Sequence, residues 1–157
     1  MNRVARFTAS LALPLIAGAI GAFFTAPAIP TWYASLVKPS FSPPNYLFGP
    51  VWTLLYLLMG IALYRVWSKT PENPAARAAA LLFIVHLALN TLWSILFFGL
   101  HSPALALLDI IVLLILIIVL IKKFFAQDHL AAYLLIPYLL WVGFATALNF
   151  AVWQLNA

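Results

Sequence analysis

The order of apolar and polar residues divides the chain of 157 residues into five long apolar stretches separated by short polar connections. Each stretch has about 20 residues, the length that an α-helix needs to cross the hydrocarbon core of a bilayer. Residues 105–121 are almost continuously aliphatic and lack the alternation expected of a membrane β-strand. The pattern predicts an all-α membrane protein, a single domain over residues 1–157, with five transmembrane helices at about 7–26, 46–66, 79–99, 104–124 and 131–154.

The composition agrees with this class and excludes several kinds of chemistry. Hydrophobic residues make up 66% of the chain and charged residues 7%, against about 25% charged in soluble domains. The absence of cysteine excludes disulfides and thiolate metal sites, and three acidic and three His residues are too scattered to predict a metal site or a bound cofactor. A Walker loop and a GxGxxG motif are both missing, which argues against an ATP-driven pump. The basic residues form no stripe, so we expect no nucleic-acid partner.

The basic residues are distributed very unevenly between the two predicted faces of the membrane. With five spans, Lys38 is the one basic residue on the face opposite the N-terminus. The other seven lie on the face that carries the N-terminus: Arg3, Arg6, Arg65, Lys69, Arg77, Lys122 and Lys123. The positive-inside rule then predicts a cytoplasmic N-terminus and an external C-terminus, in a bacterial cell membrane. A cleaved signal peptide is the alternative interpretation of the first stretch. However, the apolar run of this stretch is longer than the 7–15 residues usual in signal peptides.

Polar and aromatic side chains recur every three or four residues in three of the predicted spans. This spacing puts them on one face of each helix, and because polar groups facing lipid are costly, the three faces should point toward one another. The stripes are Trp52, Tyr56 and Met59; His86, Asn90, Trp93 and Phe97; and Tyr138, Trp141, Ala145 and Asn149. They predict a pocket reaching from the outer face to mid-membrane under the first connection, which Pro39, Pro43 and Pro44 make semi-rigid.

Individual residues leave alternatives open. Trp93 and Trp141 lie too deep for an interfacial belt, so they either line the pocket or pack in the core. Asn90 and Asn149 either orient a ligand or, as is commoner, join helices by hydrogen bonds. His86 is predicted to be a hydrogen-bonded partner between helices, with gating or ligand contact as the alternative.

The two remaining spans are predicted to contribute little to a pocket. In the first, small residues such as Gly18 and Ala22 favour close helix packing. The fourth is aliphatic all round apart from Asp109, which suits extensive lipid contact, and His101 or Lys38 is the expected partner of that carboxylate.

Three sequence motifs carry a resemblance to a known family. They are WYASLVKPSFSPP at 32–44, continuing to Trp52, Leu55-Tyr56 and Met59-Gly60; NTLW at 90–93 with Phe97-Phe98; and PYLLW at 137–141 with ATALN at 145–149. In this order they resemble the translocator protein family, called tryptophan-rich sensory protein in bacteria and formerly peripheral benzodiazepine receptor. The resemblance covers nearly the whole chain. It implies a five-helix bundle, commonly a homodimer, with a ligand cavity under the first loop.

The resemblance also implies site residues and ligands. The matching positions that would bind ligand are Tyr33, Pro43, Trp52, Asn90, Trp93, Trp141, Ala145 and Leu148. Family ligands are porphyrins, sterols, isoquinoline carboxamides and benzodiazepines. The family's sterol motif is incomplete here, since Phe150 and Gln154 follow Leu148 where it needs a Tyr and a basic residue.

Three function classes follow. A membrane receptor or sensor for porphyrins and other planar hydrophobic ligands is favoured over a translocator of tetrapyrrole or sterol. The third is an enzyme that degrades porphyrin in light, in which Trp52 and Trp141 would be the catalytic, redox-active residues.

Overall fold

The computed structural model describes residues 2–70 and 73–157. Within them, five helices are long and apolar enough to cross a membrane, which confirms the predicted five-helix bundle. The first is α1 (Arg3–Ala28) and the fourth is α5 (Pro103–Phe125). The second joins a 3-10 turn (Asn45–Leu47) to α3 (Phe48–Trp67), the third joins α4 (Pro74–Ser94) to a π-helical turn (Ile95–Gly99), and the fifth contains α6 (His129–Tyr133) and α7 (Ile136–Asn156). The short α2 (Trp32–Ser35) lies in the first connection.

Most of the helices extend a few residues beyond the predicted apolar stretches because polar residues outside those stretches cap them. The side chains of Asn2, Asn73, Ser102 and Asp128 accept hydrogen bonds from backbone N–H groups in the first turns of α1, α4, α5 and α6. α4 and α5 also begin with proline, whose fixed φ suits the first helical position.

The fifth span is not the continuous helix that the sequence predicts. α6 ends at Tyr133, and α7 restarts at Ile136 with Pro137 in its first turn. Proline has no N–H to donate and its ring clashes with the carbonyl four residues earlier, so a helix breaks just before it. The break makes α6 a separate short turn at the end of the span.

The fourth span is more buried than its composition predicts. α5 has the largest buried share of the five spans, 39%, and it packs between α4 and α7. The buried stripe of α5 includes Ile110, Leu113, Ile117 and Leu120. Side chains facing lipid and side chains facing other helices are equally apolar, so composition could not separate the two environments.

The bundle has two distinct halves. We call the end that carries the N-terminus the basic face and the end that carries the first connection the loop face. The half nearer the basic face is a packed core with fully buried Met59, Leu63, Phe83 and Tyr138. The half nearer the loop face contains the cavity described below.

A charged cluster joins α3 to the connection before α6 at the basic face. The Nε and Nη2 of Arg65 donate to the two carboxylate oxygens of Asp128 at 2.9 Å each, and Lys69 Nζ lies 3.2 Å from Oδ2. Partial burial alone would raise the pKa of Asp128, but hydrogen bonds from Arg65, the Ala131 N–H and Lys69 outweigh it and hold that pKa well below its usual range. The cluster therefore stabilises this corner only while Asp128 is ionised.

Candidate functional site: an aromatic cavity beneath the first connection

A cavity of about 630 Å³ lies between α1, the second, third and fifth spans and the first connection. Its volume falls within the roughly 300–1,000 Å³ typical of sites for small organic ligands. Aromatic side chains form much of the wall: Tyr33, Tyr46, Phe48, Trp52, Tyr56, Trp93, Phe97, Phe98 and Trp141. The cavity is thus suited to a large, apolar and planar molecule.

The structure brings most of the sequence-predicted site residues to this wall. Seven of them line the cavity: Tyr33, Trp52, Asn90, Trp93, Trp141, Ala145 and Leu148. Pro43, the eighth, is partly buried in the connection and does not line the cavity in the described part of the chain. Trp93 and Trp141 are therefore wall residues, and ligand contact at each of the eight positions stays a prediction.

Asn90 forms the centre of a hydrogen-bonded network at the floor of the cavity. The Tyr56 hydroxyl donates to Asn90 Oδ1 at 2.9 Å, and Asn90 Nδ2 donates to the Tyr138 hydroxyl at 3.2 Å. The indole of Trp52 stacks on Tyr56 with ring centroids 5.4 Å apart. Asn90 thus joins the second, third and fifth spans, which confirms the commoner of its two predicted roles.

A second network holds Trp93 in the wall. Its Nε1 donates to Asn149 Oδ1 at 2.9 Å, and Asn149 Nδ2 donates to the Pro103 carbonyl at 2.8 Å. The Trp93 ring also stacks on Phe97, with centroids 5.2 Å apart. Because its N–H already has a protein partner, Trp93 presents mainly an aromatic surface to the cavity.

Trp141 differs from Trp93 in having an unused hydrogen-bond donor. Its Nε1 is buried and has no partner among the residues that the structure describes. The ring is fixed by an edge contact with Phe48, whose centroid is 6.0 Å away, and by Phe144 at 5.6 Å. A buried N–H without a partner costs about 1–3 kcal/mol, so a ligand acceptor that reached this nitrogen would gain a hydrogen bond.

α1 forms a whole wall of the cavity, although its small residues predict close packing alone. A Cβ on Gly18 would lie 2.3 Å from the Tyr56 ring, so only glycine lets α1 approach α3 this closely. Ala19, Ala22 and Ala26 line the cavity and are also exposed. The signal in the sequence was the run of small residues, which permits close packing and also leaves space for a ligand.

Exposed lining residues on the second span face those of α1. Tyr46, Gly49 and Thr53 line the cavity and are exposed. The cavity therefore opens sideways between α1 and the beginning of the second span, toward the region that lipid would occupy.

The π-helical turn at the end of the third span adds one more aromatic residue to the wall. In a regular helix, the stripe through Trp93 and Phe97 would leave the next residue, Phe98, on another face. The wider turn of Ile95–Gly99 brings both Phe97 and Phe98 to the lining. Such π-turns often occur at functional sites, and periodicity alone could not reveal this one.

The first connection covers the cavity through a buried tyrosine. Tyr33 is 4% exposed, contacts Phe97 and Phe98, and has Lys38 Nζ 4.7 Å from its ring centroid. Burial raises the pKa of this phenol above its usual value. Beside it, Trp32 stacks on His101 with centroids 4.4 Å apart. The cover is thus held by aromatic contacts as well as by its prolines.

Two predictions about polar residues are wrong. His86 is fully buried, and its Nδ1 bonds to the Phe83 carbonyl of its own helix, while Nε2 has no partner among the described residues. Asp109 pairs with neither His101 nor Lys38, which instead contact Trp32 and Tyr33, and its Oδ2 is buried without a described partner. The expectation for Asp109 rests on its depth along the helix, which does not fix the direction in which the side chain points.

These features define a multi-pass α-helical membrane protein with an aromatic, laterally open cavity under an extramembrane connection. Residues 10–154 match the model of the TspO/MBR family. The chain belongs to this family.

Relatives support the assignment over nearly the full length. The tryptophan-rich protein TspO of Archaeoglobus fulgidus is 49% identical over 154 residues, which cover 98% of this chain and 99% of that protein. The protein CrtK of Rhodobacter capsulatus is 43% identical over 89% of this chain and 86% of its own length. The human translocator protein is 39% identical over 80% of this chain and 75% of its own length.

Proposed function

We propose that this protein is a membrane receptor or sensor that binds porphyrins and related planar hydrophobic ligands in the aromatic cavity. Isoquinoline carboxamides and benzodiazepines fit the same description, whereas sterol binding lacks the complete motif. The observation that carries the proposal is the aromatic cavity wall with a few polar side chains in it, among them Asn90 and Ser94. Trp141 adds a buried indole N–H without a partner among the described residues. Ligand sites of this kind combine large apolar contact with a few orienting polar groups.

The test separates the donor from the volume of the indole. Titration of the reconstituted protein with protoporphyrin, followed by tryptophan quenching, gives the dissociation constant. Trp141→Phe keeps most of the aromatic contact and removes the N–H, and we expect a loss of about three- to tenfold in affinity. Trp153→Phe, on the exposed surface, is the matched control. Equal affinity for the wild type and Trp141→Phe would show that this donor does not hold the ligand.

Light-dependent degradation of bound porphyrin is a second candidate function. It is favoured by the presence of Trp52 and Trp141 in one cavity wall, where either indole would face the excited macrocycle. Absorption spectra of the protein–porphyrin complex under illumination in air, compared with Trp52→Phe and Trp141→Phe, test this activity. Loss of the porphyrin bands at the same rate with and without protein would rule it out.

Transport of tetrapyrrole or sterol is disfavoured by the packing below the cavity. In the described part of the chain, the lining residues nearest the basic face are Leu15, Tyr56, Asn90 and Trp141. Beyond them, toward the basic face, lies the buried core. Flux of porphyrin into proteoliposomes at a rate above that of empty vesicles would overturn this preference.

The orientation and assembly of the protein are also proposals. The seven-to-one division of basic residues supports a cytoplasmic N-terminus and an external Ala157 in a bacterial cell membrane. A reporter active only in the cytoplasm should give no signal when fused to Ala157. We also propose a homodimer, which the mass of the detergent-solubilised protein, corrected for bound detergent, would test.

A further inference from the structure

A second concavity, of about 230 Å³, lies on the outer surface of the bundle toward the basic face. It is a groove between α1, α3 and α4, and it is separate from the aromatic cavity because the two share no lining residue among those described. Its apolar part is lined by Leu13, Leu63, Ala80, Leu81 and Ile84. Leu81 and Ile84 are 62% and 43% exposed, so the groove faces the hydrocarbon region.

The end of the groove at the basic face is polar. Trp67, Thr70 and Arg77 line it there, at the last turn of α3 and the first turn of α4. Side chains of a helix lean toward its N-terminus, and α4 begins at the basic face, so the exposed Arg77 extends toward the headgroup region. Trp at this depth is typical of the membrane interface.

Arg6 supplies a second positive charge near this end. It lies seven residues before Leu13, on the same face of α1 and two turns closer to the basic face. Its Nη1 lies 3.4 Å from the Ser68 carbonyl, and its Nε is buried without a partner among the described residues. Arg77 therefore lines the polar end of the groove, and Arg6 contacts the carbonyl of Ser68, the residue next to Trp67 in the lining.

From this juxtaposition we propose that the groove binds one anionic phospholipid of the adjacent leaflet. One acyl chain lies along Leu13, Leu63 and Ala80, and the phosphodiester accepts hydrogen bonds from Arg77 and Arg6. The amphipathic order of the groove, charged at the membrane surface and apolar below it, matches a lipid in place. At 230 Å³ the groove falls below the size typical of small-ligand sites, about 300–1,000 Å³, and has room for part of one hydrocarbon chain.

The experiment measures retained lipid directly. The full-length protein is reconstituted in vesicles with equal parts of phosphatidylglycerol and phosphatidylcholine, released in mild detergent and weighed by native mass spectrometry. We expect one phosphatidylglycerol per chain, and about fivefold less retention for Arg77→Gln, since each basic residue near an anionic surface contributes about 1 kcal/mol. Lys122→Gln, which removes an exposed charge from the same face outside the groove, should retain lipid normally.

A second pair of variants tests the apolar part without changing charge. Ala80→Leu fills the groove and should reduce lipid retention, whereas Ala78→Leu, exposed on another face of α4, should not. A melting temperature within a few degrees of the wild type shows that each variant is folded. If Ala80→Leu does not fold, the result for Arg77→Gln alone decides whether the proposal holds.

Four results would overturn the proposal. They are equal retention of phosphatidylcholine, unchanged retention in Arg77→Gln, displacement of the lipid by inorganic phosphate, and an oxidant-induced disulfide between two copies that carry Leu81→Cys. The third result would indicate a site for a free anion, and the fourth would indicate a second copy of the chain in the groove.

Discussion

The Asn156 side chain pairs with the backbone of Val37 as if it were a neighbouring strand. Its Oδ1 accepts a hydrogen bond from the Val37 N–H and its Nδ2 donates to the Val37 carbonyl, both at 2.9 Å. The end of α7 is thereby tied to the connection that covers the cavity, 119 residues away along the chain. The two bonds fix the connection at the point where it leaves Tyr33.

Asn156→Ala should loosen this cover. We expect the porphyrin off-rate to rise about three- to tenfold, because an exposed pair of neutral hydrogen bonds contributes roughly 1 kcal/mol, while the on-rate changes little. Stopped-flow quenching of the cavity tryptophans measures both rates. Gln154→Ala, exposed near the same end of α7, is the matched control.

The prolines of the connection should also slow the release of ligand, by a different mechanism. Replacing Pro43 and Pro44 with Gly gives the connection conformational freedom that it must lose on closing. We expect an off-rate several-fold higher and a nearly unchanged on-rate in the same measurement. If neither rate changes, the ligand does not leave past this connection, and the lateral opening between α1 and the second span is its route.

The Asn90 network should matter more for stability than for orienting a ligand. Asn90→Ala removes the acceptor of Tyr56 and the donor to Tyr138, both in a desolvated environment, and we expect the free energy of unfolding to fall by about 1–3 kcal/mol. Chemical denaturation in detergent, without ligand, measures this. With Tyr56→Phe, a double-mutant cycle should give a coupling of at least about 0.5 kcal/mol. Additive losses would mean that the two residues act independently.

Much of this site follows from periodicity, and the remainder depends on geometry that periodicity does not contain. Asn90, Trp93 and Trp141 are predictable on inward faces because polar and aromatic residues at helical spacing avoid facing lipid. Phe98 was missed because a π-turn changes the helical period locally. The Asn156 contact was missed because it joins residues that are far apart in sequence, and neither residue has a distinctive pattern.

The basic face provides a prediction about pH. The folded-state pKa of Asp128 lies below its unfolded value of about 3.9, so its interactions stabilise the protein fully above that value and are lost as the pH falls below it. The melting temperature in detergent should therefore begin to fall at about pH 4 and continue to fall toward the lower folded-state pKa. Asp128→Asn should melt lower at neutral pH and lose this part of the pH dependence. A parallel drop in the variant would assign the effect to another group.

The lateral opening determines what a ligand must displace. Because the exposed alanines of α1 and the start of the second span leave the cavity continuous with the surrounding hydrocarbon, acyl chains or detergent tails can enter it when no ligand is bound. Binding is then an exchange of one apolar occupant for another, and the gain from removing apolar surface from water is largely cancelled. Shape, aromatic stacking and the donor of Trp141 remain to discriminate a ligand from lipid, and the measured affinity becomes a property of the membrane as well as of the protein.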